Sequence, residues 1–551
     1  MSREGTPAGG RSGRPFDRLL IANRGEIAVR IIRACRELGV ESVAVYSDPD
    51  ARSRHVRLAD HAVRIGPAPA TESYLRAERI VEAAVATGAQ AIHPGYGFLS
   101  EQAAFASAIE AAGIVFVGPT PATLGSLGDK ISARRSAHAE GVPIVPGTFA
   151  PLPADDASQI DTIARTAAEI GYPLLVKASA GGGGRGMRRV DRPEDLPVAV
   201  TTAANEARQA FGDGAVYLER YVEGGRHIEV QLLGEEGGRI IALGERDCST
   251  QRRHQKLVEE APAPGLTRDE RARVHALAVQ VARTVGLRNA ATAEFLYSRD
   301  GDFYFLEVNA RLQVEHGVTE LVADLDLVPE QLWLAAGHAL SARALAAAAA
   351  AADPVRHAFE LRLSAEDPSR SFAPTPGLVT RWREPSGPGI RMDSFVEEGW
   401  RVSGDYDPLL AKLLVVDADR PAAIARALRA LDELETGGVQ TTAPFHRWLL
   451  ANPAFVAGDL RTDMIDRTWE AGPIREAAAR RAAALVAAAV AGGTAVPPGG
   501  AASAPAAPAS AALPPGSRPV GADGSAPTGW PRPASPAWTH AGRREATERW
   551  P

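Results

Sequence analysis

Residues 293–316 read AEFLYSRDGDFYFLEVNARLQVEH. Two apolar runs, 293–297 and 303–308, flank Asp300-Gly301, and Asp-Gly between such runs predicts a β-hairpin closed by a two-residue type I′ turn. That turn sets Glu294 directly opposite Glu307, with Cβ atoms ~5 Å apart. Like charges so placed destabilise a sheet, and a hydrated Mg²⁺, held by carboxylates and shared with nucleotide phosphates, removes the conflict. Past Glu307 the two-residue period puts Asn309, Arg311, Gln313 and Glu315 on one face and Val308, Ala310, Leu312 and Val314 on the other. The first face reads as metal-ligating and anion-binding, the second as core. A half-exposed strand with a polar side is the simpler alternative, but it leaves the opposed glutamates unexplained.

Lysine is the second signal: the chain has four, against 57 arginines. A guanidinium is a planar fork and an ammonium a compact point charge, so a site needing one ammonium beside a phosphate resists the exchange. Lys130, Lys177 and Lys256 lie in stretches suited to anion chemistry, whereas Lys412, in the apolar run 409–414, reads as a structural ion-pair partner. The loop GGGGRGM at 181–187 follows the strand candidate carrying Lys177. Its glycines let backbone N–H groups close on phosphate oxygens, and it lacks the G-K-[ST] ending of a P-loop. It reads as a strand-loop-strand phosphate cover. The stretch GERDCSTQRRHQK at 244–256 gathers Arg252, Arg253, His254 and Lys256 around Gln251, and its Cys248 reads either as a thiol made reactive by the nearby positive charge or, the commoner case, as a small packed thiol. It lacks the interleaved aromatics of a nucleic-acid patch and is expected to bind an oxyanion.

With 551 residues the chain is expected to form about three or four domains. A net charge of -6 argues against general nucleic-acid binding. Two cysteines cannot build a disulfide framework, and the longest apolar stretch, 482–491, is shorter than the ~18–20 residues a membrane span needs. The amino terminus has no apolar core, so a cytoplasmic protein without membrane or nucleic-acid partners is expected. Apolar runs at 19–22, 42–46, 89–92 and 114–117 alternate with helical periodicity at 27–38 and 74–86, predicting a parallel sheet. The first turn, Asn23-Arg24-Gly25-Glu26, has one glycine and argues against a dinucleotide site. Short strand candidates follow at 173–178, 187–190 and 216–221, then longer β-runs and a helix near 267–286. After 470 the composition collapses to Ala, Pro and Gly, and 492–536 reads as low-complexity linker.

Together these residues resemble biotin carboxylase, the ATP-grasp subunit of biotin-dependent carboxylases. IANRGEIAVRIIRA (21–34), HPGYGFLSE (93–101), KASAGGGGRGM (177–187), RDCSTQRRHQK (246–256), FLEVNARLQVEH (305–316) and SAEDP (364–368) follow that family in order, and the resemblance covers about 16–465. It implies an α/β and α+β fold: a disordered arm 1–15, a Rossmann-like pre-ATP-grasp domain 16–128, linker helices 129–148, an ATP-grasp lid 149–221, an ATP-grasp body 222–345, a biotin carboxylase C-terminal domain 346–470 and a tail 471–551. ATP-binding roles are implied for Lys130, Lys177, Gly182, Gly183, Gly184, Glu219, Val222, His227, Gln251 and His254. Glu294, Glu307 and Asn309 match ligands of Mg²⁺ (or Mn²⁺). Lys256, Arg311, Gln313, Val314 and Glu315 match the bicarbonate pocket, with Glu315 as base, while Tyr96, Arg362 and Asp407 match the biotin side. Glu315, Arg311, Arg362 and Lys256 are the implied catalytic set.

No Met-Lys dipeptide, the usual biotin attachment site, occurs in the chain. Biotin is therefore expected on a separate biotin carboxyl carrier protein, with a separate carboxyltransferase subunit, and the family implies a homodimer and membership of an acetyl- or acyl-CoA carboxylase. Three departures from the family stand out. Gly317 replaces the usual proline and is expected to loosen the turn after the base; Arg220 replaces a hinge lysine; Arg356 replaces a glycine behind an Ala-rich run, 345–352. Trp530, Trp538 and Trp550 mark 530–551 as a candidate docking segment. A carbamoyl-phosphate-type ligase and a non-catalytic scaffold are the competing readings.

Overall fold

The computed structural model describes residues 13–487, apart from 129, 153–159, 179–186, 212–213, 473–474, 477–478, 481–482 and 485–486. Gly182, Gly183, Gly184, the side chain of Lys130, most of the arm 1–15 and the segment 530–551 lie outside the described residues.

Strands β1 (Arg18–Ile21), β2 (Glu41–Ser47), β3 (His61–Gly66), β4 (Ala91–His93) and β5 (Val115–Phe116) form a parallel sheet in the order β3-β2-β1-β4-β5. The middles of β1, β2 and β4 are buried and mostly apolar, with Leu19 and Ile21 packed on one side of the sheet and Leu20 on the other. β3 escaped the sequence reading: it is an edge strand whose first residues are mostly exposed, so it carries no apolar run. The predicted helices appear as Gly25–Glu37 and Ala77–Thr87. Gly25, at φ +70°, makes the turn out of β1 that a β-branched residue would resist.

Strands β6 (Leu174–Ala178), β7 (Arg188–Val190) and β8 (Val216–Arg220) form a small antiparallel sheet ordered β7-β6-β8. The larger unit is an eight-stranded antiparallel sheet. It comprises β9 (Arg226–Gly234), β10 (Ile240–Arg252), β11 (Gln255–Ala261), β12 (Asn289–Tyr297), β13 (Phe303–Asn309), β14 (His357–Ser364) and strands Ile390–Ser394 and Leu409–Asp417. The order is β13-β12-β9-β10-β11-β14, then 409–417 and 390–394. Because β11 pairs with β14, the sheet is continuous across residue 345. Helix Arg268–Thr284, started by a Thr267/Glu270 capping box, covers the β9–β12 part of it.

The hairpin departs from its predicted turn. Ser298 N donates to Asp302 O at 2.9 Å and Gly301, at φ +85°, follows a tight bend, so the connection is one residue longer than Asp300-Gly301. The pairing then runs Tyr297 with Phe303 and Phe295 with Phe305, until a bulge at Leu306 restores Glu294 opposite Glu307. The two one-residue deviations cancel at the site. Phe303 and Phe305 must enter the core, and without the bulge the pleat would carry Glu307 onto their face.

The strand also stops at Asn309. Arg311, Gln313 and Glu315 do not share a pleated face, as the two-residue period predicted; they lie in an irregular segment that leads into helix His316–Ala323. Gly317, inside that helix, does not loosen a turn. A Cβ there would lie 2.2 Å from Leu414 Cδ2, so the glycine permits close approach of helix to strand. Gly317→Ala is expected to destabilise the protein by about 1–3 kcal/mol, with most of the loss recovered in the Gly317→Ala/Leu414→Ala pair, as measured by denaturant unfolding in a double-mutant cycle.

Candidate active site

On β9 the alternation His227, Glu229, Gln231 aims polar groups to one side of a buried strand, and β12 adds Thr292 and Glu294 to the same side. Such a layer survives burial only when its charges are paired. Arg246, fully buried on β10, supplies part of this: it donates to Glu229 Oε1 at 2.5 Å, to Gln231 at 2.9 Å, to Thr319 at 2.9 Å and to Thr292 at 3.0 Å. Lys256 on β11 supplies the rest, its ammonium 2.6 Å from Glu229 Oε2, 2.7 Å from Glu315 Oε1 and 3.3 Å from Glu294 Oε1. Burial alone would lower the Lys256 pKa; the surrounding carboxylates outweigh it and raise it well above its usual value.

Glu315 sits between two cations. Its second oxygen accepts from Arg362 Nη2 at 2.9 Å, while Arg362 Nε donates to Glu259 at 2.6 Å. Burial pushes Glu315 upward, but Lys256, Arg362 and Arg246 prevail and hold it well below the usual carboxylate range. Strand β14 fixes the position of Arg362, whose carbonyl accepts from Thr442 Oγ1 at 2.7 Å and pairs with His446 Nε2 at 2.8 Å.

Of the predicted metal residues, Asn309 bonds Glu294 and Glu307 stands opposite it in register across the hairpin. Asn309 Nδ2 donates to Glu294 at 2.8 Å and Gln313 Nε2 at 3.3 Å, and His227 Nε2 lies 2.9 Å from its other oxygen. Burial would raise Glu294, yet Lys256 and His227 hold it below the carboxylate range. Arg311 joins through Gln313 Oε1 at 2.8 Å, Asn309 Oδ1 at 3.3 Å and Glu101 Oε2 at 3.1 Å. Ligand atoms of His227, Glu229 and Glu294 also lie within 4.8 Å of one another. The opposed carboxylates of Glu294 and Glu307, with the Asn309 amide, are an oxygen donor set that fits a hard divalent cation.

A second group lies on the small sheet. Glu219 on β8 accepts from Lys177 on β6 and pairs with Arg134 at 2.8 Å. Val222 follows β8, half-buried. Gln251 is buried and pairs in register with Lys256 beside a β10–β11 turn in which Arg253 and His254 hold φ +46° and +65°. Two consecutive left-handed residues make the I′-type geometry without glycine, a strained arrangement that exposes His254.

On the opposite flank the Tyr96 hydroxyl donates to Glu26. Lys412, fully buried, reaches the Val314 carbonyl at 2.7 Å and Glu26 at 3.2 Å. The lysine read as structural therefore anchors the segment between Gln313 and Glu315. Asp407 is exposed and accepts from the Leu409 amide at 2.7 Å. Sequence reasoning missed Glu229, Arg246 and Glu259. His227-Glu229-Gln231 alternating within an apolar strand was the available signal for the first, the place of Arg246 at the head of RDCSTQRRHQK was the signal for the second, and nothing local marked Glu259.

Residues 15–124 match the biotin carboxylase N-terminal domain, 129–343 the ATP-binding domain of the carbamoyl-phosphate synthase L chain, and 360–467 the biotin carboxylase C-terminal domain. The biotin carboxylase of Pseudomonas aeruginosa is 47% identical over 454 residues, covering 82% of this chain and 98% of that relative. The chain belongs to the biotin carboxylase family. As a family member it is an ATP-dependent ligase with the ATP-grasp fold. The biotin carboxylase of Allochromatium vinosum is 46% identical over 452 residues, covering 82% of this chain and 98% of its own length. Among solved structures, the biotin carboxylase domain dimer of Hydrogenobacter thermophilus 2-oxoglutarate carboxylase, in complex with MgADP, ADP and bicarbonate, is 43% identical, with a TM-score of 0.77 over 82% of this chain and 97% of that one. Among the described residues, no helix is long and apolar enough to cross a membrane.

Proposed function

We propose that this biotin carboxylase family member carboxylates biotin presented by a separate carrier protein, at the cost of ATP and bicarbonate, and works as a homodimer with a separate carboxyltransferase in an acetyl- or acyl-CoA carboxylase. The observation that carries this reading is the clamp on Glu315, one carboxylate shared by Lys256 at 2.7 Å and Arg362 at 2.9 Å with Arg311 and Gln313 alongside. A base, an anion pocket and a cation for developing charge thus converge on one point.

Lys130 and Lys177, with Gly182, Gly183 and Gly184, hold the nucleotide phosphates; Glu219, Val222, His227, Gln251 and His254 position the rest of the nucleotide. Glu294, Glu307 and Asn309 hold Mg²⁺ or Mn²⁺, which when bound screens the charge of the phosphates. Bicarbonate rests on Lys256, Arg311, Gln313 and the Val314 backbone. Glu315 takes its proton as its oxygen attacks the γ-phosphorus and ADP leaves. In the clamp Glu315 is a weak base; a bicarbonate anion that draws on the charge of Lys256 relaxes that depression, so the substrate itself raises the basicity. Carboxyphosphate breaks into CO₂ and phosphate, phosphate takes the N1′ proton of biotin, and Arg362 stabilises the resulting ureido oxygen. Tyr96 and Asp407 line the biotin side, and exclusion of water protects carboxyphosphate. The acyl acceptor is set by the carboxyltransferase.

The test is ADP release measured with and without bicarbonate and free biotin. Dependence on bicarbonate and stimulation by biotin are expected. Turnover indifferent to biotin that consumes ammonia would replace this reading with the carbamoyl-phosphate-type ligase.

A further inference from the structure

Glu259 on β11 and Glu360 on β14 are direct cross-strand partners, and both are fully buried. Their Cβ atoms are therefore about 5 Å apart on one face of the sheet. Glu259 Oε1 accepts from Arg362, whereas its Oε2 and both oxygens of Glu360 meet no donor among the described residues. The charged and titratable groups facing Glu360 are Glu259 from β11, Arg362 from its own strand, Lys412 from strand 409–417, Glu315 at the start of helix His316–Ala323, and Tyr96. Of the cations, Arg362 is held by Glu259 and Glu315, and Lys412 by Val314 O and Glu26. Gly317 lets the helix close over this spot, leaving Glu360 Oε2 only 3.4 Å from where a Cβ would stand.

Two buried carboxylates so close do not both ionise, and the proton belongs on the one without a cation. Burial raises Glu259 to about 7 even against the pull of Arg362, and raises Glu360 well above the carboxylate range.

We propose that Glu360 is kept as the neutral acid beside an ionised Glu259, so that the two form a positioning pair that aims Arg362 at the substrate. Glu259 alone then supplies the fixed countercharge, and Arg362 is balanced by Glu259 and Glu315 instead of being drawn back by three carboxylates. The role rests on the reading of Arg362 as the biotin-side cation.

Infrared difference spectroscopy of the full chain, wild type minus Glu360→Gln without substrate, is expected to show one protonated-carboxyl C=O band that shifts in D₂O. Glu360→Gln keeps a neutral donor and is expected to hold the biotin KM and kcat within about threefold, while shifting the alkaline fall of kcat/KM for biotin. Glu259→Gln, which removes the countercharge, is expected to raise the biotin KM about tenfold or more with the ATP KM unchanged. Absence of the band, or a loss of about 100-fold or more in a folded Glu360→Gln protein, would overturn the pair. The band is read without turnover, so a chain that shows it but never carboxylates biotin contradicts the proposed function and leaves the neutral Glu360 standing.

Discussion

Glu315→Gln lowers bicarbonate-dependent ATP turnover by about 10²–10⁴-fold, the range expected when a positioned general base is removed. The ATP KM stays near the wild-type value, because Glu315 makes no contact with the Lys177–Glu219–Arg134 group on the small sheet. An amide is a poor replacement on geometric grounds as well. Lys256 and Arg362 approach opposite oxygens of Glu315, and whichever way the glutamine turns, its NH₂ group faces a donor. Steady-state kinetics with bicarbonate as the varied substrate checks the prediction, and turnover within a few-fold of wild type would remove Glu315 from the chemistry.

Lys256→Met carries two costs. It removes a cation that three carboxylates share, and leaving buried charge uncompensated costs about 3–5 kcal/mol, read as a lowered unfolding midpoint. It also removes the fixed charge beneath the anion pocket, so kcat/KM for bicarbonate falls about 10²–10³-fold. Lys256→Arg separates the two effects: it restores charge and much of the stability, but a planar fork cannot place one point charge among Glu229, Glu294 and Glu315, and turnover stays low. An active Lys256→Arg enzyme would contradict the role assigned to the ammonium.

The scarcity of lysine and the opposed glutamates were legible because each is a local conflict with an ordinary background. The hairpin shows how far such reading reaches. Glu294 does face Glu307, yet through a longer turn and a compensating bulge, because the sequence distance between paired residues is insensitive to two slips of opposite sign. What forces the bulge is the burial of Phe303 and Phe305, a demand of the packed core and not of the turn residues. The face assigned to Arg311, Gln313 and Glu315 failed for a related reason. The strand period was extended past Asn309, where the chain leaves the sheet to start the helix packed against Leu414.

Glu259 and Arg246 illustrate what a linear pattern conceals. Each lies in a buried strand and gains its meaning from a partner brought by register: Glu259 from Arg362 on β14, Arg246 from Glu229 on β9 and Thr292 on β12. Lys412 belongs with them. Its apolar neighbours fit a structural ion pair, and only the fold brings its ammonium to the carbonyl of Val314.

The most direct measurement is transfer of label from [¹⁴C]bicarbonate to free biotin, or to a biotinylated carrier protein, in the presence of ATP and Mg²⁺. The account predicts acid-labile label on biotin that requires ATP and is lost in Glu315→Gln. ATP consumption driven by bicarbonate with no label on biotin or carrier would contradict it.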